Sequence, residues 1–484
     1  MKSMSFHLIS LGCAKNTVDS QSMAQLLVGS GYSLLEDARK AEVIIVNTCG
    51  FIGPAKEESL QVLGDLAAHK RRGQLLIAAG CLTQRYGSEV VRQVPGIDGI
   101  LGTRRWMDIV DVVSRLRLGP HPEPLYHLPE TPTVGMDGGG VLRSAVQGGS
   151  AYIKIADGCR RPCAFCAIPL IKGTAVSRPV QAIVEEACTL QKMGVREIIL
   201  IAQDTTDYGH DLGLRDGLAQ LLEEIAQAAP QLDWIRILYA YPGYVTDRLI
   251  DVMASHTQIL PYLDMPLQHA HPMTLRRMRR PANIEWVHRT LEKMRQAMPE
   301  LALRTTFIVG YPGETEEEFQ TLLDFVQQVR FDRVGTFQFS FEPGTKSEPL
   351  GDPVPAEIKQ ERYNHLMEAQ QRISLEKNQA LVGKTLDVLV EGHGQLEVDD
   401  GAHSRGGSET RPYQTRPYQT RPHARPSSTP ISLGRSYRDA PEIDGMVLIE
   451  GEAPVGEIVP VRITGAMAYD LSGTIETERL VIHL

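Results

Sequence analysis

The feature that most constrains this chain is the run Cys159-Arg-Arg-Pro-Cys163-Ala-Phe-Cys166, three thiols in C-x3-C-x2-C order directly after the apolar stretch 151–156. Three thiolates so close in sequence converge on one metal centre. Structural zinc takes four ligands, and no fourth is at hand. The next cysteine, Cys188, lies in the helical pattern Ile183-Val-Glu-Glu-Ala-Cys-Thr-Leu and reads as core packing, while the first histidine downstream is His210. A cubane of four irons and four sulfurs is normally held by four thiolates, so a three-thiolate set leaves one iron open to an outside ligand. A zinc knuckle or a chance grouping of thiols is the blander reading, and the missing fourth ligand weighs against it.

A second set of thiols is spread more widely. Apolar runs at 7–11, 43–46 and 75–79 alternate with amphipathic stretches at 16–28 and 56–66, the rhythm of an open parallel sheet. Each run ends at a cysteine: Leu11-Gly-Cys13, Asn47-Thr-Cys49-Gly and Ala79-Gly-Cys81. The carboxyl ends of the strands line the crevice of such a sheet, so Cys13, Cys49 and Cys81 are expected to meet there. Gly12, Gly50 and Gly80 beside them permit close approach to a bulky group. One such cysteine alone is a buried small hydrophobe; three at the same relative position indicate a shared site. Lys15, Asn16, Asp19 and Asn47 are placed to orient it, although Asp19 is equally suited to capping a helix.

The chain divides into a first α/β domain over 1–118, a Pro- and Gly-rich connector over 119–150, a central domain over 151–378 and an all-β domain over 379–484. In the central domain strand and helix patterns alternate six times, the strands falling near Tyr152 and at 198–202, 235–239, 262–265, 303–309 and 334–339. Barrels of this kind carry their reactive groups at the carboxyl ends of the strands. Lys154, Asp157, Gln203, Asp204, Tyr239, Tyr241, Gln268 and His269 are therefore site candidates, each with a structural alternative: a surface lysine for Lys154, a hydrogen-bonded barrel-mouth histidine for His269. A long polar helix over 355–379 leads out of the barrel, and short alternating runs at 385–390, 446–450 and 459–463 signal a small β-barrel. An insertion at about 400–430 interrupts it, with Thr-Arg-Pro-Tyr-Gln at 410–414 repeated at 415–419. Low complexity makes extended chain the expectation there, and a ribosome-touching arm is the sharper alternative.

The cysteine loop at the end of a first barrel strand resembles the radical S-adenosylmethionine superfamily, in which the amino acid part of S-adenosylmethionine chelates the open iron. Ser10-Leu-Gly-Cys-Ala-Lys-Asn-Thr-Val-Asp-Ser20 and Val46-Asn-Thr-Cys-Gly-Phe-Ile52 resemble the N-terminal domain of methylthiotransferases. Ile201-Ala-Gln-Asp-Thr-Thr-Asp-Tyr-Gly209 and Pro261-Tyr-Leu-Asp-Met-Pro-Leu-Gln-His-Ala270 resemble the branch that modifies ribosomal protein S-twelve. Gly434-Arg-Ser-Tyr-Arg-Asp-Ala-Pro-Glu-Ile-Asp-Gly445 and Ala468-Tyr-Asp-Leu471 resemble the TRAM module of the same family. The resemblance implies two 4Fe-4S clusters. One sits on Cys159, Cys163 and Cys166 and cleaves S-adenosylmethionine to a deoxyadenosyl radical. An auxiliary one on Cys13, Cys49 and Cys81 carries the sulfur, methylated by another S-adenosylmethionine. It also implies an incomplete (β/α)6 barrel and transfer of a methylthio group to the β carbon of an aspartate in the ribosomal protein, free or on the ribosome, with an electron donor as further partner. Thr306-Phe-Ile-Val-Gly-Tyr-Pro-Gly-Glu-Thr315 resembles the segment that packs on the adenosine moiety, and Thr315 with Glu318 forms a capping-box pattern. Relatives carry arginine where this chain has Lys172, which keeps the charge but loses the planar fork.

A tRNA adenosine methylthiotransferase shares both clusters and is the competing enzyme; a non-catalytic iron–sulfur electron carrier or ribosome-binding module is the competing class. Net charge is -9, and the stretch 380–484 holds ten Lys and Arg against fifteen Asp and Glu, or five against fourteen without 401–433. An acidic folded module suits a basic protein better than bare RNA. Seven cysteines used at strand ends point to a reducing compartment, the cytoplasm. The amino terminus runs into a strand pattern without a leader, and no apolar run reaches membrane-spanning length, so no membrane partner is expected.

Overall fold

The computed structural model describes residues 4–119, 123–130, 141–395 and 430–476. The first sheet has six parallel strands: β1 (Ser5–Ser10), β2 (Ser33–Leu34), β3 (Val43–Thr48), β4 (Leu75–Gly80), β5 (Gly99–Gly102) and β6 (Leu125–His127), in the order β2-β1-β3-β4-β5-β6. The residues of β3, VIIVNT, are all buried because helices cover both faces of the sheet. Helices α1 (Ala14–Gly29) and α4 (Ile109–Leu116) pack on one face through Met23, Leu27 and Val112; α2 (Gly53–Ala68) and α3 (Cys81–Gln93) pack on the other through Leu63 and Val90. Strand order reverses between β1 and β3, so a crevice opens at their carboxyl ends.

Two strands fall inside the stretch expected to be connector. β6 pairs with β5, and β7 (Ser144–Gln147) pairs antiparallel with the first barrel strand. Both are too short to show a periodicity of their own. The central domain follows with β8 (Ser150–Lys154), a small antiparallel pair β9 (Ala156–Asp157) and β10 (Val176–Ser177) that closes the cysteine loop, then β11 (Glu197–Ile201), β12 (Trp234–Ile237), β13 (Tyr262–Asp264), β14 (Ala302–Val309) and β15 (Arg333–Gln338). β8, β11 and β12 form one parallel run and β13, β14 and β15 another, joined beside β12 by a bridge from Ile235 to Ile259. The result is the open six-stranded barrel that six strand–helix alternations predict. Its helices are α5 (Ile168–Lys172), α6 (Val180–Lys192), α7 (Gly217–Ala228), α8 (Asp247–Ser255), α9 (Pro272–Arg277), α10 (Ile284–Ala297), α11 (Glu316–Val329) and α12 (Ala356–Gln379). Ile198 and Leu200 of β11 face the helix layer, whereas Ile199 and Ile201 face inward toward Ala14 and Val18 of α1 and Leu389 and Ala440 of the last domain. The barrel interior is thus stoppered by both flanking domains.

The last domain is a closed barrel of β16 (Thr385–Gln395), β17 (Pro430–Ser436), β18 (Val447–Glu450), β19 (Ile458–Ala466) and β20 (Leu471–Ile475) around Val388, Val390, Val447, Ile449 and Val461. Gln395 pairs with Pro430, so the insertion joins the two strands of a hairpin; its repeat at 410–419 lies outside the described residues.

Candidate functional site

The three thiols of the first domain stand at equivalent positions, each just past a strand. Cys13 is the N-cap of α1 and is exposed, Cys49 follows β3, and Cys81 opens α3 and is buried. Gly12 and Gly80 both have positive φ, +95° and +104°. A Cβ on Gly12 would lie 2.8 Å from that of Cys49, and one on Gly80 would lie 2.5 Å from the Thr48 carbonyl oxygen. Glycine at these places lets the strand ends crowd together. Burial pushes the Cys49 thiol up to about 12, with Cys81 and Cys13 adding to it, and burial pushes Cys81 up to about 11 against the pull of Lys172. Asn16 and Asn47 serve the backbone here: Asn16 Nδ2 donates to the Leu11 and Thr48 carbonyls at 2.8 and 3.1 Å, and Asn47 Nδ2 donates to the Asn16 carbonyl and Ser20 Oγ at 2.9 Å each. Only Asn16 Oδ1 meets a thiol, Cys81 Sγ, at 3.7 Å.

The second triplet lies on the loop between β9 and β10. Cys159 N–H donates to the Gly173 carbonyl at 3.0 Å, and Gly158, at φ +79°, has no room for a Cβ, which would come 2.0 Å from the Thr174 carbonyl oxygen. Cationic and polar groups surround the sulfurs: Arg161 N–H donates to Cys159 Sγ at 3.4 Å, Arg280 Nη1 to Cys163 Sγ at 3.3 Å, and the Tyr241 hydroxyl lies 3.7 Å from Cys163 Sγ. Burial pushes Cys159 up to about 11 and Cys166 up to about 12, while the Arg161 and Ile168 backbone N–H groups pull down on them. Arg161 is itself held by Asp204 at 2.5 Å and stacks on Tyr244 at 3.6 Å, and Arg160 is held by Asp207 at 2.5 Å. Sequence reasoning missed Arg280: more than a hundred residues separate it from Cys163, and nothing in its run of arginines marks the one that turns inward.

The two triplets are neighbours. Cys81 packs with Ala167 and Ile171, immediately after Cys166, and Arg104 ties α5 to the first domain by donating to the Ile171 and Leu170 carbonyls at 2.9 and 3.0 Å. Beneath them lies a buried ionic floor. Lys154 pairs with Asp19 and with Asp157 at 3.2 Å, and Lys172 pairs with the same two carboxylates at 3.4 and 3.0 Å. Asp19 is therefore an ion-pair partner across the domain boundary, and its side chain caps no helix. Burial alone lowers Lys172, yet Asp157 and Asp19 outweigh it and raise the ammonium above its ordinary range. Two separate carboxylates suit a point charge, which a bidentate fork would not need.

At the other strand ends the candidates separate. Gln203 Nε2 donates to Asp157 Oδ1 at 2.9 Å, while its Oε1 and that of Gln268 are buried and have no partner among the described residues. Gln268 sits at φ +73°, bridged to Phe307. Both orphan oxygens call for an external donor. His269, by contrast, is fully used: Nδ1 accepts from His271 N–H at 2.9 Å, which leaves Nε2–H to donate to Glu314 at 2.9 Å. It is a structural residue. Glu314 also accepts from Gly310 N–H at 2.5 Å and from Arg362 at 2.7 Å, which fixes the turn after β14. The Thr315–Glu318 capping box is present as expected. Cys188 is partly buried against the barrel core. Among the described residues no three His, Cys, Asp or Glu side chains close around a point that a single ion would fill. A four-iron cluster asks instead for thiols at the corners of a box, and the glycine cradles, the thiol-only donor sets and the two orphan amide oxygens fit such a cluster and a polar ligand beside it.

Comparison with known proteins adds to this geometry. A model of the radical SAM superfamily matches residues 153–326, one of the Uncharacterized protein family UPF0004 matches 5–102, and one of the TRAM domain matches 427–475. The ribosomal protein uS12 methylthiotransferase RimO of Chloroflexus aurantiacus is 47% identical over 481 residues, covering 97% of this chain and 99% of that one. That of Roseiflexus sp. is 45% identical over 486 residues, covering 97% of each. Among solved structures, the radical S-adenosylmethionine methyltransferase TsrM from Kitasatospora setae, with cobalamin and a 4Fe-4S cluster bound, aligns with a TM-score of 0.54 at 14% identity, covering 82% of this chain and 81% of that one. That likeness is one of fold.

Proposed function

We infer the reaction from one premise: the chain belongs to the RimO family of ribosomal protein uS12 methylthiotransferases. It is accordingly a transferase that methylthiolates ribosomal protein uS12 by radical S-adenosylmethionine chemistry, using an iron–sulfur cluster and S-adenosylmethionine. The finer reading is ours. The acceptor is the β carbon of an aspartate. Cys159, Cys163 and Cys166 would hold a 4Fe-4S cluster with a coordination place left for S-adenosylmethionine, and Cys13, Cys49 and Cys81 would hold a second. The observation that carries it is the contact of Cys81 with Ala167 and Ile171, which sets the first triplet beside the helix that follows the second. When bound, these groups supply a radical able to take hydrogen from an unactivated carbon and a sulfur to replace it, chemistry that no acid or base of the chain offers.

The chain's own residues do the rest. Arg280 and Tyr241 beside Cys163 and the Arg161 N–H on Cys159 would hydrogen-bond and orient the sulfurs of a cluster held there. Gln203 and Gln268 offer acceptors to the amino group of a ligand at the strand ends. Asp19, Asp157, Lys154 and Lys172 lock the two domains in one register. The units are 1–118, 151–378 and 379–484, joined by 119–150, and an electron donor and a reducing cytoplasm complete the setting. No described helix is long and apolar enough to cross a membrane.

Electrostatics favour a basic protein as acceptor. Among the described basic residues of the last domain, Arg435 and Arg438 turn inward to Glu197 and Asp332, while Lys384 and Arg462 are exposed, as are Asp387, Glu442, Glu450 and Glu452. The test is side-by-side incubation with unmodified uS12 and unmodified tRNA under anaerobic, reducing conditions. Methylthio mass on an aspartate of uS12 is expected, with about eight irons per chain. The Cys159, Cys163 and Cys166 triple alanine variant should lose half that iron and all deoxyadenosine formation. The Cys13, Cys49 and Cys81 variant should retain some deoxyadenosine and lose methylthiolation. Mass on tRNA adenosine alone would overturn the reading.

A further inference from the structure

Lys15 is a buried ammonium without a carboxylate of its own. It follows Cys13 by two residues in the first turn of α1, and only 9% of it is exposed. Its Nζ lies over the ring of Tyr239, 3.2 Å from the centroid. Among the described residues it makes no ion pair, whereas each neighbouring cation has one: Lys154 and Lys172 share Asp19 and Asp157, and Arg304 holds Asp264 and Asp444. Burial lowers the Lys15 ammonium, and the groups that favour its charge are Cys13 first, then the carboxylates of Asp264 and Asp157. Both are engaged, Asp264 by Arg304 at 2.9 Å and by the Tyr239 N–H at 3.1 Å, Asp157 by two lysines and Gln203. An aromatic face offsets part of the cost of burying an ammonium without giving it an ion-pair partner.

The mounting of Tyr239 is the second observation. Its φ is +64°, a left-handed conformation that tyrosine rarely adopts. The backbone is pinned there from both sides, by its N–H to Asp264 and by its carbonyl, which accepts from Thr205 N–H at 3.1 Å. Strain of this kind persists where a site requires it. Two residues further on, Tyr241 touches Cys163. One strand end thus carries the ring under Lys15, beside exposed Cys13 of one triplet, and the hydroxyl that meets the other triplet.

We propose that Lys15 receives the side-chain carboxylate of the substrate aspartate and so selects an acidic side chain, presenting its β carbon between the two cysteine triplets. This rests on the reading above. A carboxylate on Lys15 would give it the ion pair that Lys154, Lys172 and Arg304 already have.

The test compares reconstituted wild type, Lys15→Met and Lys15→Arg on unmodified uS12 and on the same protein with the modified aspartate changed to asparagine. Direct binding, measured without S-adenosylmethionine, is read beside KM and kcat. Lys15→Met should weaken binding of the aspartate protein by about 30-fold and leave binding of the asparagine version unchanged, while Lys15→Arg recovers part of the loss. Equal effects on both acceptors, or none, would overturn the proposal. So would a fall in iron content or deoxyadenosine formation large enough to account for the loss, which would assign Lys15 to the cofactors. Wild type that never modifies uS12 would overturn the underlying reading and this proposal with it.

Discussion

At the scale of single residues, charge placement decides what the interior tolerates. Burial alone would raise the Asp157 carboxyl, and Lys154 and Lys172 outweigh it, holding it below the usual carboxylate range. Asp157→Asn keeps the shape and removes one charge, so two buried ammonium groups must share Asp19. A loss of about 3 kcal/mol is expected, read as a lower guanidinium midpoint. Adding Lys154→Met restores balance and should recover part of that loss. A double variant no more stable than the single one would show that the pairs are not coupled. The sequence displayed these four residues without their relationship. Lys154 and Asp157 were legible as strand-end candidates, but Asp19 lies 135 residues from Lys154, and no pattern along the chain joins them.

At the scale of elements, the sites are built by where strands stop. β1, β3 and β4 each end in a glycine–cysteine or cysteine–glycine step, and that was legible because apolar runs bounded by such steps are a strong local signal. The six barrel strands were legible for the same reason. The short strands β2, β6 and β7 were not, since their neighbours and not their own residues pair them. Gly158 tests the loop geometry. Alanine there would meet the Thr174 carbonyl oxygen in a left-handed conformation, so Gly158→Ala should displace Cys159 and remove about half the reconstituted iron. Full iron content in that variant would mean that the loop yields without moving its thiol. The helix after the second glycine turn gives a milder case. Thr315 accepts from Glu318 N–H at 3.3 Å, and Thr315→Ala should cost about 1 kcal/mol in unfolding free energy. A change in S-adenosylmethionine binding larger than that cost implies would show that the cap also shapes the ligand pocket.

At the scale of the whole molecule, three domains are fastened by buried ion pairs that cross their boundaries. Arg85 with Glu342 at 2.8 Å joins the first domain to the barrel, and Arg333 with Asp439 at 2.5 Å joins the barrel to the last. The centre of the second joint is Glu197 of β11, fully buried between Arg236 of the barrel at 2.7 Å and Arg435 of the last domain at 2.6 Å. Burial alone would raise its carboxyl, yet Arg435 and Arg236 hold it down to about 2, from an ordinary 4.5. A carboxylate depressed on folding contributes stability above its unfolded pKa and loses it as pH falls through the folded value, here between 4.5 and about 2. The shift corresponds to about 3 kcal/mol at neutral pH. Glu197→Gln should therefore melt well below wild type at pH 7. Protonated Glu197 and glutamine are nearly the same group, each neutral and each leaving Arg236 without a carboxylate and Arg435 with Glu391 alone, so the gap between the two melting temperatures should close as pH falls across that window. A gap that stays constant with pH would mean that the substitution acts through shape and that the joint does not depend on this charge.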